Sequence, residues 1–295
     1  EIYELVNDAR LSNINVTVPS FPSIQKNFYI EKDHIRFGLS DIKQVGSSAV
    51  DKIQDKVTEV ESLLDKPATQ WTWAEYLIFF SKNIASTVNV AMSSCGALDY
   101  FKVPRNRMLY EIEIWNKLTA KEMAWIQETK QWPSLKEALI SCRPTKKEGG
   151  GCRMAKRSSV LSDLIKTLDN PPHSLEDTPA WIAWAEEKYL GIGITCNRVD
   201  GCKDSIRANT TCKEFVDGKS GHMIVAVEVN RVKQVTTKTG KSAGSQMAFL
   251  TVSDSSCALD NVVCFPDTWK DNQGTLQEGN TILLQGERDK KKGGF

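Results

Sequence analysis

The stretch "IRFGLSDIKQVGSSAVDKI", residues 35–53, decides how the first half of the chain is read. Leu39, Ile42 and Val45 lead in at steps of three, and Ala49, Val50 and Ile53 lead out at steps of one and three. That is one apolar helical face interrupted by a turn. Gly46 supplies backbone freedom at the bend. Ser48-Ala49-Val50-Asp51 fits a capping box that opens the second helix. A helix start with free N–H groups attracts anions. The pattern therefore predicts a helix-hairpin-helix whose loop, Lys43 with Val45 to Ser48, holds a nucleic-acid phosphate. The alternative is an ordinary helix pair in a core.

Outward from this segment, helical periodicity covers residues 1–14, continues to about Leu64, and returns over 73–101, with breaks near Cys95-Gly96 and Pro104. Residues 15–23 carry two prolines and read as extended, and 28–37 as a small hairpin turning at Lys32-Asp33. Helices follow over 105–118, 120–132, 160–168 and 180–192. Residues 143–159, with three consecutive glycines among basic residues, read as a linker. After Gly221 the period changes to two. Residues 222–235, 247–254 and 259–266 read as strands, 267–280 as a short helix and turn, and a fourth strand begins at Thr281. Three strands, a helix and a further strand suggest an OB-fold barrel that lacks its closing strand. The chain opens on Glu1 and breaks off in that barrel, so it reads as a piece of a longer protein.

Composition bounds the function only loosely. The 295 residues are 40% hydrophobic and 25% charged, with a net charge of +1, so any basic surface is local. No apolar run reaches membrane-spanning length. Eight cysteines without a secretion signal point to reduced thiols in a cytoplasm. Cys196, Cys202 and Cys212 share one polar stretch. Their spacing is not that of a paired zinc motif, but with Cys152 or His222 they form a candidate structural zinc set, the alternative being free thiols.

Other basic positions are candidates for nucleic acid. Lys102, Arg105 and Arg107 are placed to grip a second duplex strand. Arg231, Lys233, Lys238 and Lys241, with Trp269, are placed to hold a single strand, whereas Phe249 and Phe265 read as core.

"ELVNDARLSNINVTVPSFPSIQKNFYIEKDHIRFGLSDIKQVG", at residues 4–46, resembles the approach to the tandem helix-hairpin-helix region of C-family replicative DNA polymerases, the alpha subunits of bacterial DNA polymerase III. "CGALDYFKVPRNRML" (95–109) is similar to their second hairpin, "AWAEEKYLGIGIT" (183–195) to the helix before their OB domain, and residues 235–269 to that OB domain. The resemblance implies an α+β multidomain chain: the end of the fingers region over 1–34, tandem hairpins over 35–118, a helical linker region over 119–221, and a truncated OB-fold over 222–295. It implies primer–template duplex and single-stranded template as DNA partners, and a sliding clamp and other replisome subunits through the parent protein. The catalytic palm, with its Mg2+, lies ahead of the matched region in the family, so this stretch is not expected to transfer nucleotides by itself. Where the family often reads LG-x-x-L-[ST]-GHP, this chain has "LGIGITCNRVDGC" (190–202), and the Gly-His-Pro is absent. "QWPSL" (131–135) stands where the family carries a clamp-binding peptide, but it lacks the Phe and reads as a turn between helices. The competing reading is a free-standing, non-catalytic DNA-binding adaptor built from the same modules.

Overall fold

In the computed structural model, which describes residues 2–129, 131–142, 157–239 and 243–288, helix α1 spans Ile2–Leu11 and helix α2 spans Ser47–Leu64. Val50, Ile53, Val57 and Val60 recur at three and four residues along α2, and all four are buried. The helix ends at Asp65, which is left-handed and returns its amide to the Glu61 carbonyl. Its start differs from the expected capping box. The N-cap is Gly46, whose carbonyl takes the amides of Ala49 and Val50, so Ser48 already lies inside the first turn and caps nothing. Gly46 is also not the residue that bends the chain. Its backbone is extended at φ −72°, and Gln44 takes the left-handed conformation at φ +76°. The lead-in is a single 3-10 turn, Leu39–Asp41, rather than a helix. It still buries Leu39, Ile42 and Val45 as their spacing requires.

A small sheet precedes this segment. Strands β1 (Asn15–Thr17), β2 (Tyr29–Glu31) and β3 (His34–Arg36) lie in the order β1-β3-β2. The β2–β3 hairpin turns at Lys32 as expected, and β1 joins it in parallel.

Helix α3 (Trp73–Glu75) starts from a Thr72–Glu75 capping box and runs into a π turn at Tyr76–Phe80. Helices α4 (Ser86–Ser94), α5 (Arg105–Asn116), α6 (Ala120–Gln127), α7 (Leu135–Ser141), α8 (Ser158–Asp169) and α9 (Pro179–Leu190) complete the helical body. Proline at the first position of α9 and left-handed Gly191 after its end follow the usual terminal chemistry of helices. The core of this body centres on Phe21, fully buried with Tyr76 edge-on at 5.0 Å and Phe80 at 5.2 Å.

Helix α10 (Cys212–Val216) is absent from the sequence expectation. Its five residues are too few to show a period, and a Thr211–Glu214 box sets it. Strands β4 (Met223–Thr236), β5 (Gln246–Ser253) and β6 (Ala258–Cys264), helix α11 (Pro266–Asn272) and strand β7 (Thr281–Gly286) then appear in the expected order. The sheet is antiparallel throughout, in the order β6-β5-β4-β7. The first half of β4, Met223 to Glu228, pairs with β7, and from Glu228 onward β4 pairs with β5, in a ladder whose register shifts at a bulge between Val229 and Arg231. No closed barrel forms among the described residues, and β6 and β7 are the two edges. The core beneath the sheet draws Cys212 and Phe215 from before the expected boundary at residue 222. The described chain is thus mixed helix and sheet, with a helical body, one small sheet and one four-stranded sheet.

Candidate nucleic-acid interface

The loop before α2 is held from outside. The Lys43 amide donates to the Tyr189 carbonyl at 2.8 Å, tying the loop to the last turn of α9. The Val45 amide donates to Ile42 and its side chain is 1% exposed, so Val45 anchors the loop and is not free to meet a ligand. Lys43, Gly46, Ser47 and Ser48 are exposed. The amides of Gly46, Ser47 and Ser48 have no acceptor among the described residues, as expected of a helix's first turn. They face outward at the positive end of an 18-residue helix dipole. A Cβ on Gly46 would meet nothing within 4 Å, so neither packing nor backbone angle requires a glycine there.

The second basic cluster divides. Arg105 is not on the surface. It is 3% exposed, with Nε and NH2 donating to Asp99 at 2.9 and 2.7 Å and NH1 2.9 Å from Glu186 Oε1. Burial works against its charge, but the two carboxylates outweigh it and the pKa is raised. Glu186 is fully buried, and its other oxygen accepts the amides of Ile194 and Thr195 at 2.6 and 2.7 Å. The start of α5 is already filled. Asp177 accepts from the amides of Arg105 and Asn106 at 2.6 and 2.9 Å, so no anion site remains there. Arg107 pairs with Glu111 at 2.6 Å, one helical turn along. Lys102 is exposed and left-handed, at φ +55°.

On the sheet, Arg231 and Lys233 are exposed and alternate along β4, so they share a face. Lys238 is exposed beyond the strand's end, and Lys241 lies outside the described residues. The aromatic assignments reverse. Trp269 is 7% exposed in the sheet's core and cannot serve as a stacking platform, whereas Phe265 stands 66% exposed. Period two cannot sort these residues, because Phe265 is the N-cap of α11 and Trp269 lies inside that helix, off the strands.

The cysteines do not converge. Cys212 is sealed in the sheet's core, where burial pushes its thiol up. Cys202 contacts the Arg198 carbonyl and Thr281, and Cys196 is half-buried. Among the described residues no group of three or more His, Cys, Asp or Glu side chains could hold a metal ion. The proposed zinc set is therefore not assembled from these three, and Cys152 lies outside the described residues. The 131–135 segment is a turn between α6 and α7. Trp132 Nε1 donates to the Ile126 carbonyl, Ser134 caps α7 and Leu135 is buried.

Sequence reasoning missed two features of this face. Asp177 fills the α5 terminus from 72 residues away, and no local signal announces it. Lys188 lies over the exposed Trp184 ring at 4.9 Å, one residue before the carbonyl that holds Lys43. Spacing along α9 could have paired that Lys and Trp.

No family model matches the chain. Among curated proteins, it is similar to the DNA polymerase III subunit alpha of Bacillus subtilis (strain 168), at 24% identity over 97% of the chain and 22% of that protein. The subunit of the same name from Streptococcus pyogenes serotype M6 is 32% identical over 35% of the chain and 10% of its own length. The chain thus resembles, distantly and along nearly its whole length, a segment of a replicative polymerase alpha subunit. It spans about a fifth of the Bacillus relative. Among the described residues no helix is long and apolar enough to cross a membrane.

Proposed function

We propose that this chain is a DNA-holding portion of a replicative DNA polymerase, working in the cytoplasm. The observation that carries the reading is the similarity to the Bacillus subtilis DNA polymerase III subunit alpha over 97% of the chain. The loop before α2 is read as a helix-hairpin-helix that takes a backbone phosphate of the primer–template duplex. The amides of Gly46, Ser47 and Ser48 supply the donors and Lys43 the charge. A residue without a side chain at 46 lets a phosphate come close to those amides. No side chain there reads a base, so binding is independent of sequence. The four-stranded sheet, with a helix between its third and fourth strands, is read as an OB-type fold open at one side. It carries single-stranded template along Arg231, Lys233 and Lys238. Sliding clamp and replisome contacts, and nucleotide transfer itself, belong to the parent polymerase in this reading.

The test is duplex affinity across a salt series, with two unrelated sequences. Lys43→Ala is expected to weaken both equally and to lower the slope of log affinity against log salt by about one. Gly46→Asp, placing a carboxylate where the phosphate sits, is expected to weaken binding further. Native-like affinity in both variants, or a strong preference between the duplexes, overturns the reading.

A further inference from the structure

A concavity is lined by the whole Asp99–Val103 turn, and the duplex contact proposed above at the loop before α2 does not use it. It encloses about 710 Å³ and is lined by Trp71, Trp73, Tyr100 and Phe101, with Lys102 and Arg107 at its rim. That volume lies within the range of small-molecule pockets.

The charges at the rim do not balance. Asp99 is taken by Arg105. Glu111 accepts from Trp73 Nε1 at 2.8 Å and from Arg107 Nε at 2.6 Å. Each carboxylate facing the concavity is therefore matched inside the protein. Lys102 has no ion-pair partner among the described residues. Its left-handed backbone is fixed by the hydrogen bond that its amide donates to the Asp99 carbonyl, and it is exposed where it lines the concavity. The residual charge is positive and the wall is aromatic. Tyr100 is 45% exposed, and its hydroxyl is bonded to the Thr69 carbonyl, which fixes the ring.

A ligand that offers a flat π-face and an anion together is a nucleotide. We propose that this concavity takes one unpaired nucleotide of a DNA strand, its base against the exposed Tyr100 ring beside half-buried Phe101 and its phosphate at Lys102. Stacking of this kind tolerates any base, because each presents a π-face. The proposal rests on the nucleic-acid reading of the chain only for its choice of ligand.

The test uses the full chain and a single-stranded oligothymidylate carrying one 2-aminopurine, with a blunt duplex as the second probe. Binding is expected to quench 2-aminopurine fluorescence. Tyr100→Ala and Lys102→Asn, the latter keeping a residue that tolerates the left-handed backbone, are each expected to weaken the single strand by about tenfold. Tyr100→Ala should leave the duplex within about twofold, since the duplex reports on Lys43 and the loop before α2. Tyr100→Phe, which keeps the ring, is expected to bind like the native chain. Absence of quenching, or native affinity in Tyr100→Ala and Lys102→Asn, overturns the proposal. An equal loss for both probes also overturns it, by reducing the effect to general charge. Saturable binding of a polyproline peptide that the oligonucleotide does not displace would assign the aromatic wall to a peptide instead. Loss of duplex binding in Lys43→Ala alongside unchanged single-strand binding in the Lys102 and Tyr100 variants leaves the loop reading standing while this one falls.

Discussion

The guanidinium of Arg105 lies 2.9 Å from the carboxylate of Glu186, and neither side chain reaches solvent to any useful extent. One opens α5 and the other sits mid-way along α9, so the pair fixes the helix that carries the Lys43 anchor at Tyr189 against the centre of the helical body. With Asp99, Asp177 and the amides of Ile194 and Thr195, it forms a polar cluster whose charges answer one another.

Breaking that cluster on one side leaves a buried charge unanswered. Arg105→Ala and Glu186→Ala are each expected to destabilise the protein by about 3–5 kcal/mol. The double variant should cost less than the sum of the two. Denaturant unfolding of the three variants measures this. A loss within about 0.5 kcal/mol, as at an exposed site, would mean that Arg105 stands at the surface after all.

Gly96 belongs to the same cluster. Its φ is +89°, and a Cβ built there would fall 2.3 Å from Arg105 NH2 and 2.9 Å from Asp99 Oδ2. Gly96→Ala therefore meets both backbone strain and a collision. It should lower stability by about 2 kcal/mol or more, read as a fall in thermal midpoint. Gly46→Ala is the control. Its Cβ meets empty space at an ordinary φ, and stability should change little.

Glu228 gives the sheet a pH dependence. Burial raises its pKa from 4.5 to about 7, Arg198 at 3.6 Å pulling it down and Glu187 pushing it up. The folded state then holds the proton more tightly than the unfolded state. Stability from this group is full below about pH 4.5 and is lost as pH rises through about 7. The loss is on the order of 3 kcal/mol. Glu228→Gln should flatten the profile between those limits and be the more stable form at pH 8. Parallel profiles for the two proteins would contradict it.

Phe215 reports where the sheet's folding unit begins. It is buried beneath the sheet although it precedes residue 222, and the Cys212 amide next to it in α10 donates to Asp254 at 2.7 Å. Phe215→Ala should cost about 3 kcal/mol. A negligible effect in urea unfolding would restore the boundary at 222.

Much of this architecture could be read in local pattern. The apolar spacing from Leu39 to Val60, the hairpin at Lys32, and the alternation of β4, β5 and β6 are each set within a few residues, because side-chain direction follows directly from backbone period. The same pattern marked Lys43 and the residues after it as a loop ahead of a helix. What the period could not convey is which groups are already answered by distant ones. Arg105 and Lys102 look alike in sequence, yet Glu186 draws one inside, and the other has no ion pair among the described residues. The α5 terminus resembles the α2 terminus until Asp177 arrives from 72 residues away. Phe265 is exposed because β6 ends at Cys264 and leaves it as the N-cap of α11, and Trp269 lies on the face of that helix turned to the sheet's core. The sequence by itself determined most of the longer elements and their order, since local sterics and burial period act over a few residues, but not the five-residue α10 or the 3-10 turn at Leu39–Asp41. Only the tertiary structure decided which charges and amides remain free, because electrostatic and hydrogen-bond pairing act between whichever groups folding brings within a few ångströms.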